Sequence, residues 1–452
     1  MIGDVPIAAL AVGSFAAARL GWAVPPVVVI AIVALGGMSR RPLVVALGVL
    51  LAVSALGARA EAGLVGASAG AVDGEAVVVA DPERAERGSV RAEVSMGGKR
   101  WEARASGAVA DDLAPLEVGD RVVLSGAVRP FDEPSGWSRS RHLVGRLRVA
   151  EVGEITPAGG LYGLANDLRG LISSGASSMS SDHHGLFTGL VYGDDGNLGP
   201  ALDADVRASG LTHLAAVSGQ NVAFLLAAAA PLLSRLPRWP RWVALVGLLL
   251  FFAVLTRLEP SVLRATVMAG IAALAATVGR PATGFRVLGL AVIGLLLVDP
   301  LLTWSVGFQL SVAASTGILV LGPRLGARSA VGRAFAITLA AQLAVAPLLI
   351  LTFGEMALAG APATMAAAPV AGPVMGWGMT AGALAGVVGE PLATVLHVPT
   401  AVALSWIVLV ARLGAALPAA SPTTSIAVLA LVAALVWWAH RRRRPAPVRG
   451  ER

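Results

Sequence analysis

Hydrophobic positions form long uninterrupted runs in both end regions of the chain and short alternating runs between them. The first apolar runs cover roughly 5–20, 24–37 and 42–59, and apolar runs return at Leu211 and recur to Trp438. Runs of this length are typical of membrane helices. The pattern predicts a polytopic α-helical membrane protein with about ten transmembrane helices.

The region 66–155 alternates polar and apolar residues in short segments rich in β-branched side chains. Gly, Asp and Pro separate these segments, which are EAVVVA (75–80), SVRAEVSM (89–96), KRWEARASG (99–107) and DRVVLSGAVRP (120–130). Such segments are typical of strands and turns. About five strands in this length predict an all-β, OB-like barrel inserted near the N-terminus.

A connector, 158–210, follows the β-domain. Its segment LYGLANDLRGLI (161–172) places four leucines on one side of a helix, Leu161, Leu164, Leu168 and Leu171. Two arrangements fit this amphipathic helix: it lies along the membrane surface, or it packs on the β-domain. The predicted domains are thus 1–60, 66–155, 158–210, the membrane region 211–440 and a basic tail, 441–452.

The composition agrees with a membrane protein and limits its chemistry. Of 452 residues, 56% are hydrophobic and 14% are charged, which no ordinary soluble domain shows. The chain has no Cys, so it has no disulfide, thiolate nucleophile or Cys-bound metal. No GxxxxGK[ST] or HExxH spacing occurs either. We therefore expect no enzyme, no cofactor and no metal site.

The net charge is +7, and most basic residues lie in short connecting segments and in the tail. Clusters recur in connecting segments two crossings apart: Arg235, Arg238 and Arg241, then Arg280 and Arg286, then Arg324, Arg328 and Arg333. The positive-inside rule puts these clusters, Arg40, Arg41 and the Arg-rich tail at 441–444 in the cytoplasm. The β-domain is then expected outside it. After residue 352 the topology stays open, because 360–389 fits one broken crossing or a re-entrant pair.

Polar side chains interrupt the apolar runs of the membrane region. GLTHLAAVSGQNVAFLLAAAAPLL (210–233) predicts a membrane helix that carries His213, Ser218, Gln220 and Asn221 in its first half. Ser218 and Asn221 would share one helix face. A catalytic pair of His213 and Ser218 would require a break between them, so we do not expect a hydrolytic site.

Other crossings also carry polar residues, namely Arg264, Gln309, Ser311 and Gln342. Because polar groups are costly in hydrocarbon, such residues either tie helices together or line a wet passage. Arg264 either snorkels to the outer interface or faces the interior, where a guanidinium suits a phosphate. The motifs at 372–376 (GPVMG) and 382–386 (GALAG) predict close helix packing within the bundle.

The β-domain offers aromatic residues among basic ones, a combination that single-stranded nucleic-acid binders use. The candidate residues are Lys99, Arg100, Trp101, Arg104, Arg129, Phe131, Trp137, Arg139 and Arg141. Acidic residues nearly balance this charge, however, so the footprint of a strong binder is missing. The alternative for Trp101 is that it fills the barrel.

Several segments, in this order, resemble the ComEC-type competence proteins, membrane channels for DNA uptake in bacterial transformation. They are VGDRVVLSGAVRP (118–130), ASGLTHLAAVSGQNV (208–222), PSVLRA (260–265), GFQLS (307–311) and QLAVAPLLILTFGEM (342–356). The likeness covers nearly the whole chain. Gln220 and Asn221 stand where many members have Leu-His.

The resemblance implies a bacterial cell-membrane protein that conducts single-stranded DNA, with a separate cytoplasmic motor or single-strand-binding partner. Many members continue into a metallo-β-lactamase-like domain, which is not found before Arg452, so we expect any nuclease to be another polypeptide or to be absent. Two other functions fit the polar pattern. A transporter of a small polar solute would have a closed pocket at mid-membrane. An envelope scaffold would use Ser218 and Asn221 only to pair neighbouring helices.

Overall fold

The computed structural model describes residues 4–39, 41–65, 68–85, 88–215, 217–325, 329–354, 356–417, 419–420 and 424. The predictions that concern Arg40, Arg328 and the tail at 441–444 lie outside these residues. So does the end of the predicted membrane region after residue 424.

Three helices open the fold, α1 (Asp4–Leu20), α2 (Pro26–Met38) and α3 (Pro42–Gly63). Pro26 and Pro42 each begin a helix, where the missing N–H has no intrahelical partner to lose. Both α1 and α2 pack against α3. At Gly57, α3 approaches α1 so closely that a Cβ would lie 2.3 Å from the carbonyl oxygen of Ala18.

The predicted all-β domain is a closed five-stranded barrel. Its strands are β1 (Gly70–Arg84), β2 (Val90–Met96), β3 (Lys99–Ala105), β4 (Arg121–Pro130) and β5 (Leu143–Thr156). They neighbour one another in the order β1–β2–β3–β5–β4, and β4 closes onto β1. The β3–β5 pair is parallel and the other pairs are antiparallel. The short helices α4 (Ala108–Leu113) and α5 (Gly136–Ser140) join strands. Its identification as an OB-fold stays a prediction.

The strand period of two sorts the barrel's residues between its core and its surface. On β3, Trp101, Ala103 and Ala105 are buried in the barrel core. Their neighbours Glu102 and Arg104 project from the outer face of the same strand.

Three helices of the connector follow, α6 (Gly160–Gly175), α7 (Ser181–Tyr192) and α8 (Pro200–Ala208). The second membrane region comprises α9 (Thr212–Ala215), α10 (Gly219–Leu233), α11 (Arg238–Leu255), α12 (Pro260–Thr277), α13 (Gly284–Val298), a 3₁₀ turn (Pro300–Trp304), α14 (Val306–Leu325), α15 (Ala330–Phe353), α16 (Gly360–Val388) and α17 (Leu392–Ala415). A two-stranded ladder pairs β6 (Met356–Ala357) with β7 (Ala419–Ala420).

Within the part of the chain that the structure describes, seven helices are long and apolar enough to cross a membrane: α3, α11, α12, α14, α15, α16 and α17. The helices α2, α10 and α13 are apolar but shorter. The prediction of a polytopic helical membrane protein with an N-terminal β-domain is confirmed. The open question at 360–389 is also answered, since α16 is one helix with Pro369 and Pro373 inside it.

The amphipathic helix α6 packs along α16 and α11. Its buried face is formed by Ala165, Arg169 and Ile172, whereas Leu161 and Leu164 are exposed. Neither predicted arrangement describes it fully, because α6 is built into the helical bundle and also contacts the barrel, where Asn166 donates to the Val118 carbonyl and Arg169 to Asp81. Glycines allow α6 and α16 to pack this closely, since a Cβ atom on Gly175 of α6 would lie 2.3 Å from the Gly382 oxygen of α16. The GALAG motif thus packs within the bundle, as predicted.

Candidate functional site

The predicted membrane helix at 210–233 is broken. Its first part is the single turn α9, and α10 begins only at Gly219. Ser218 has an extended backbone and caps α10, since its Oγ accepts a hydrogen bond from the Gln220 N–H at 3.3 Å. The Ser261 hydroxyl at the start of α12 donates to the Val217 carbonyl at 3.0 Å. The expectation that Ser218 and Asn221 share a helix face is therefore wrong, because Ser218 lies outside the helix.

Arg264 lies next to this break, buried to 7% exposure. Its Nε donates to Ser311 Oγ at 2.8 Å and its Nη1 to Met268 Sδ at 2.9 Å. Its Nη2 faces Gly219, where a Cβ would lie 3.0 Å away. Arg264 therefore faces the interior rather than snorkelling to the interface. Arg264 belongs to the PSVLRA segment on α12 and Ser311 to the GFQLS segment on α14, so their hydrogen bond joins these two motifs.

The charge of Arg264 is uncompensated among the described residues, for no carboxylate there forms an ion pair with it. Its guanidinium also stands at the N-terminus of α10, where the helix dipole is positive. Two positive features at one place repel each other and favour an anion between or beside them. A Cβ at Gly219 would lie 3.0 Å from Arg264 Nη2, so a side chain there would crowd the guanidinium.

A second polar cluster surrounds His213. The ring Nδ1 lies 3.0 Å from the Gly210 carbonyl oxygen, and Nε2 lies 3.4 Å from Thr364 Oγ1 on α16. Gln342 on α15 reaches the same place, where its amide contacts Gly360. The His213 side chain is exposed. The break that a His213–Ser218 pair requires is present, yet each residue has other partners.

Three other predicted residues serve local structure or face outward. Asn221 is buried and its Nδ2 donates to the Leu190 carbonyl of α7 at 2.9 Å. Gln309 on α14 donates its Nε2–H at 2.8 Å to the Thr303 carbonyl of the preceding 3₁₀ turn. The Gln220 side chain is exposed. The structure therefore brings together only part of the predicted set, in one cluster at Arg264 and another at His213.

The helices that carry these clusters form a ring. Each helix contacts the next: α10 packs on α12, α12 on α14, α14 on α15, α15 on α16, and α16 on α10 again. Each contributes a group from the two clusters: the α10 N-terminus, Arg264, Ser311, Gln342 and Thr364. On either side of the break, His213 belongs to one cluster and Gly219 to the other. In membrane proteins, irregular backbone of this kind occurs where it is buried in protein or lines a cavity.

An ion-pair network joins the barrel to one end of the helical bundle. Asp81 on β1 accepts hydrogen bonds from Arg169 at 2.9 Å and from Arg257 at 2.7 Å. Arg169 also donates to the Leu255 carbonyl at the end of α11, while Arg257 donates to Asn166 of α6 at 2.7 Å. These bonds fix the barrel on the end of the bundle where α11 ends and α12 begins.

Glu259 lies at this end of the bundle, directly before α12. Burial raises the pKa of its carboxyl, while the Arg141 guanidinium of the barrel acts in the opposite direction. Arg141 itself forms a short ion pair with Glu93 on β2. The carboxyl is therefore close to both the barrel and the start of α12.

The outer face of the barrel is basic where β3, β4 and β5 meet. The register sets Arg104 beside Arg148, and Arg146 between Glu102 and Arg129. Glu102 is fully buried under two of them, accepting Nε–H from Arg104 and from Arg146, each at 3.0 Å. A single carboxylate thus orients two guanidinium groups on an otherwise positive surface.

Aromatic rings border this basic face. Phe131 lies under Arg146, whose Cζ is 5.4 Å from the ring centroid. Trp137, 39% exposed, contacts Arg91 and Arg141 in the same way. Of the two interpretations of Trp101, a stacking platform or a side chain that fills the barrel, the structure shows the second, since Trp101 is 5% exposed and lies in the barrel core. Lys99 and Arg100 stand at the β2–β3 turn, at the end of the strands.

The sequence interpretation missed Arg146 and Arg148, because it did not assign β5. The signal was present in LVGRLRVAE (143–151), where Leu147 and Val149 alternate with these arginines. Buried Leu147 and Val149 point into the barrel, which places both arginines on its outer face.

Comparison with known proteins places the membrane region in a family. A family model described as "Competence protein" matches residues 190–444, more than half of the chain. In a curated relative, ComE operon protein 3 of Bacillus subtilis (strain 168), 28% of residues are identical over 202 residues. That match covers 44% of this chain and 26% of the relative, so the chain corresponds to about a quarter of that protein's length. No solved structure matches the chain.

Proposed function

The chain belongs to the Competence protein family, and on that premise we propose that it conducts single-stranded DNA across the membrane. The observation that carries the proposal is the ring of α10, α12, α14, α15 and α16 with its two polar clusters. A polyanion needs positive charge along its path, and Arg264 supplies a buried guanidinium that no carboxylate in the described residues neutralises.

The barrel would receive the strand on its Arg-rich outer face. Guanidinium groups at Arg129, Arg146 and Arg148 would bind phosphates, and Phe131 offers a ring on which a base can stack. The same barrel contacts one end of the helical bundle through Asp81. The strand would therefore pass from the barrel to the broken segment without leaving the protein.

The proposed direction places the barrel outside the cytoplasm. α11 runs from Arg238 to Leu255, and its 18 residues span about 27 Å at 1.5 Å per residue. Leu255 contacts Arg169 at the barrel end, so the Arg-rich segment before α11 lies at the opposite end. By the positive-inside rule that opposite end is cytoplasmic. A cytoplasmic motor or single-strand-binding protein would supply the drive.

Cysteine accessibility tests this proposal cleanly, because the chain contains no Cys. Single variants Gln342→Cys, Thr364→Cys and Ser311→Cys in cells should react with a membrane-impermeant thiol reagent, and added single-stranded DNA should slow the reaction. Leu351→Cys is the matched control. Leu351 is 83% exposed on the apolar helix α15, so it should face lipid and stay unreactive.

The result separates the rival functions. A scaffold predicts no reaction at any ring position, and a small-solute transporter predicts a reaction that DNA does not slow. Either result, with normal insertion of the variants, would refute the DNA path.

A further inference from the structure

A groove lies among the first three helices, and none of its lining residues belongs to the ring. It has a volume of about 640 Å³ and is formed between α2 and α3 and the link that precedes α2. Its walls are almost entirely apolar, including Val29, Ile30, Ala52, Ala55 and Leu56. Small side chains of α3 form the floor, which leaves room for an elongated apolar molecule.

One end of the groove carries a cation. Arg59 is the charged residue among its lining groups. It is exposed and forms no hydrogen bond or ion pair in the described part of the chain. The nearest acid along the helix, Glu61, is already bound to Arg139 of the barrel at 3.1 Å. Arg59 is therefore available to an external anion.

The depth of Arg59 matches that of lipid headgroups. It stands 17 residues after Pro42, so it lies about 25 Å along α3, close to the roughly 30 Å thickness of a hydrocarbon core. Trp22, 61% exposed, lies beside this end of α3, where its backbone N–H donates to Ser54 Oγ at 2.8 Å. Exposed Trp is typical of the membrane–water interface. The charged end of the groove is thus at the interface and its apolar part is in the bilayer.

We propose that this groove binds one anionic phospholipid from the leaflet on the barrel side, with an acyl chain along α3 and the phosphate at Arg59. The apolar walls favour a chain over water, and the unpaired guanidinium favours an acidic headgroup. The lipid would hold α2 and the preceding link against α3, beside the helix that leads into the barrel. This inference does not depend on what crosses the bundle.

The test measures lipid retained by the full chain. The protein is reconstituted in nanodiscs of phosphatidylcholine with a minor share of phosphatidylglycerol, transferred to mild detergent, and its bound lipids are quantified by mass spectrometry. Arg59→Gln should lower retained phosphatidylglycerol about fivefold, the effect of about 1 kcal/mol per basic residue near the surface. Ala55→Phe, which fills the groove, should lower retention of both lipids.

Arg280→Gln, an exposed arginine at the opposite end of the bundle, is the matched control and should retain lipid like the wild type. Elution as one symmetric peak in size exclusion shows that each variant is folded. Equal phosphatidylglycerol retention in Arg59→Gln and wild type would overturn the proposal. So would displacement of the lipid by inorganic phosphate alone, because the site would then recognise a free anion rather than a lipid.

Discussion

Arg264 on α12 donates its Nε–H to Ser311 Oγ on α14 across 2.8 Å, inside the helical bundle. The two residues lie 47 positions apart and belong to separate motifs, PSVLRA and GFQLS. The bond directs the guanidinium toward Gly219 and the start of α10. An uncompensated buried cation is energetically costly, and such residues are typically functional. This pair therefore gives the sharpest test of the proposed path.

Arg264→Gln should lower transformation frequency at least about tenfold, because a charged hydrogen bond contributes about 1.5 kcal/mol or more. Ser311→Ala keeps the charge but frees the guanidinium, so its effect should be smaller. Arg235→Gln, an exposed residue before α11, is the control and should transform normally. Wild-type transformation by an inserted Arg264→Gln protein would contradict a role for the guanidinium in transport.

Asn221→Leu should affect stability rather than transport. The variant removes the donor to the Leu190 carbonyl and leaves that oxygen unpaired in the bundle. Inter-helix hydrogen bonds of this kind contribute about 1 kcal/mol, so thermal unfolding in detergent should show a loss of that size. Gln220→Leu, at an exposed neighbour, should leave the unfolding temperature unchanged. A large fall in uptake per folded molecule of Asn221→Leu would show that the residue does more than join α10 to α7.

The salt dependence of DNA binding tests the barrel face. Replacing Arg129 and Arg148 together with Ala should reduce the slope of log K against log salt by about 1.4, or 0.7 for each phosphate contact to a single strand. Fluorescence anisotropy of a labelled oligothymidylate with the full chain in detergent measures that slope. Arg121→Ala provides the control, since Arg121 is paired with Glu75. An unchanged slope in the double variant would place the strand elsewhere.

Close packing of α6 on α16 predicts contrasting results for two glycines. Gly175→Leu should prevent folding or greatly reduce the yield, because even a Cβ would lie 2.3 Å from the Gly382 oxygen. Gly376→Ala should be neutral or stabilising by up to about 1 kcal/mol, since alanine is the better helix former and nothing lies within 4 Å of that position. Yield and monodispersity in detergent measure both. A well-folded Gly175→Leu protein would mean that the crossing is wider than described.

Glu259 predicts a pH-dependent stability. Burial raises the pKa of its carboxyl in the folded state, so folding favours the protonated form. As pH rises from about 4.3, the ordinary pKa, through the raised value, the wild type loses stability relative to Glu259→Gln. The variant should therefore unfold at higher temperature at pH 8, and the two should converge in acid. Glu154→Gln, exposed on β5, controls for the loss of one charge. A difference that persists at low pH would exclude this origin.

Local patterns were enough to predict much of this protein. The apolar runs predicted α1, α2 and α3 nearly to their ends, because burial in lipid requires continuous hydrophobic length. Alternation predicted the barrel, since a strand places successive side chains on opposite faces. The ordered motifs indicated the family before any contact was known.

The contacts that form the candidate site could not be predicted in this way. The sequence analysis predicted one helix through 210–233, because its polar residues also fit a helix interior. The break before Gly219 depends on the cap at Ser218 and on a hydrogen bond from Ser261 of another helix. The burial of Trp101 depended on which face of β3 points inward, and the basic face required the parallel register of β3 with β5.

The sequence by itself determined the membrane architecture, the inserted barrel and the family, since each depends on periodicity or on motif order along the chain. Only the tertiary structure decided which polar residues converge. It joined Arg264 to Ser311 and His213 to Thr364. It also paired Asn221 with the Leu190 carbonyl of α7 and Gln309 with the Thr303 carbonyl. The physical reason is that a polar side chain in a bundle binds whichever partner the packing of distant helices brings within about 3 Å.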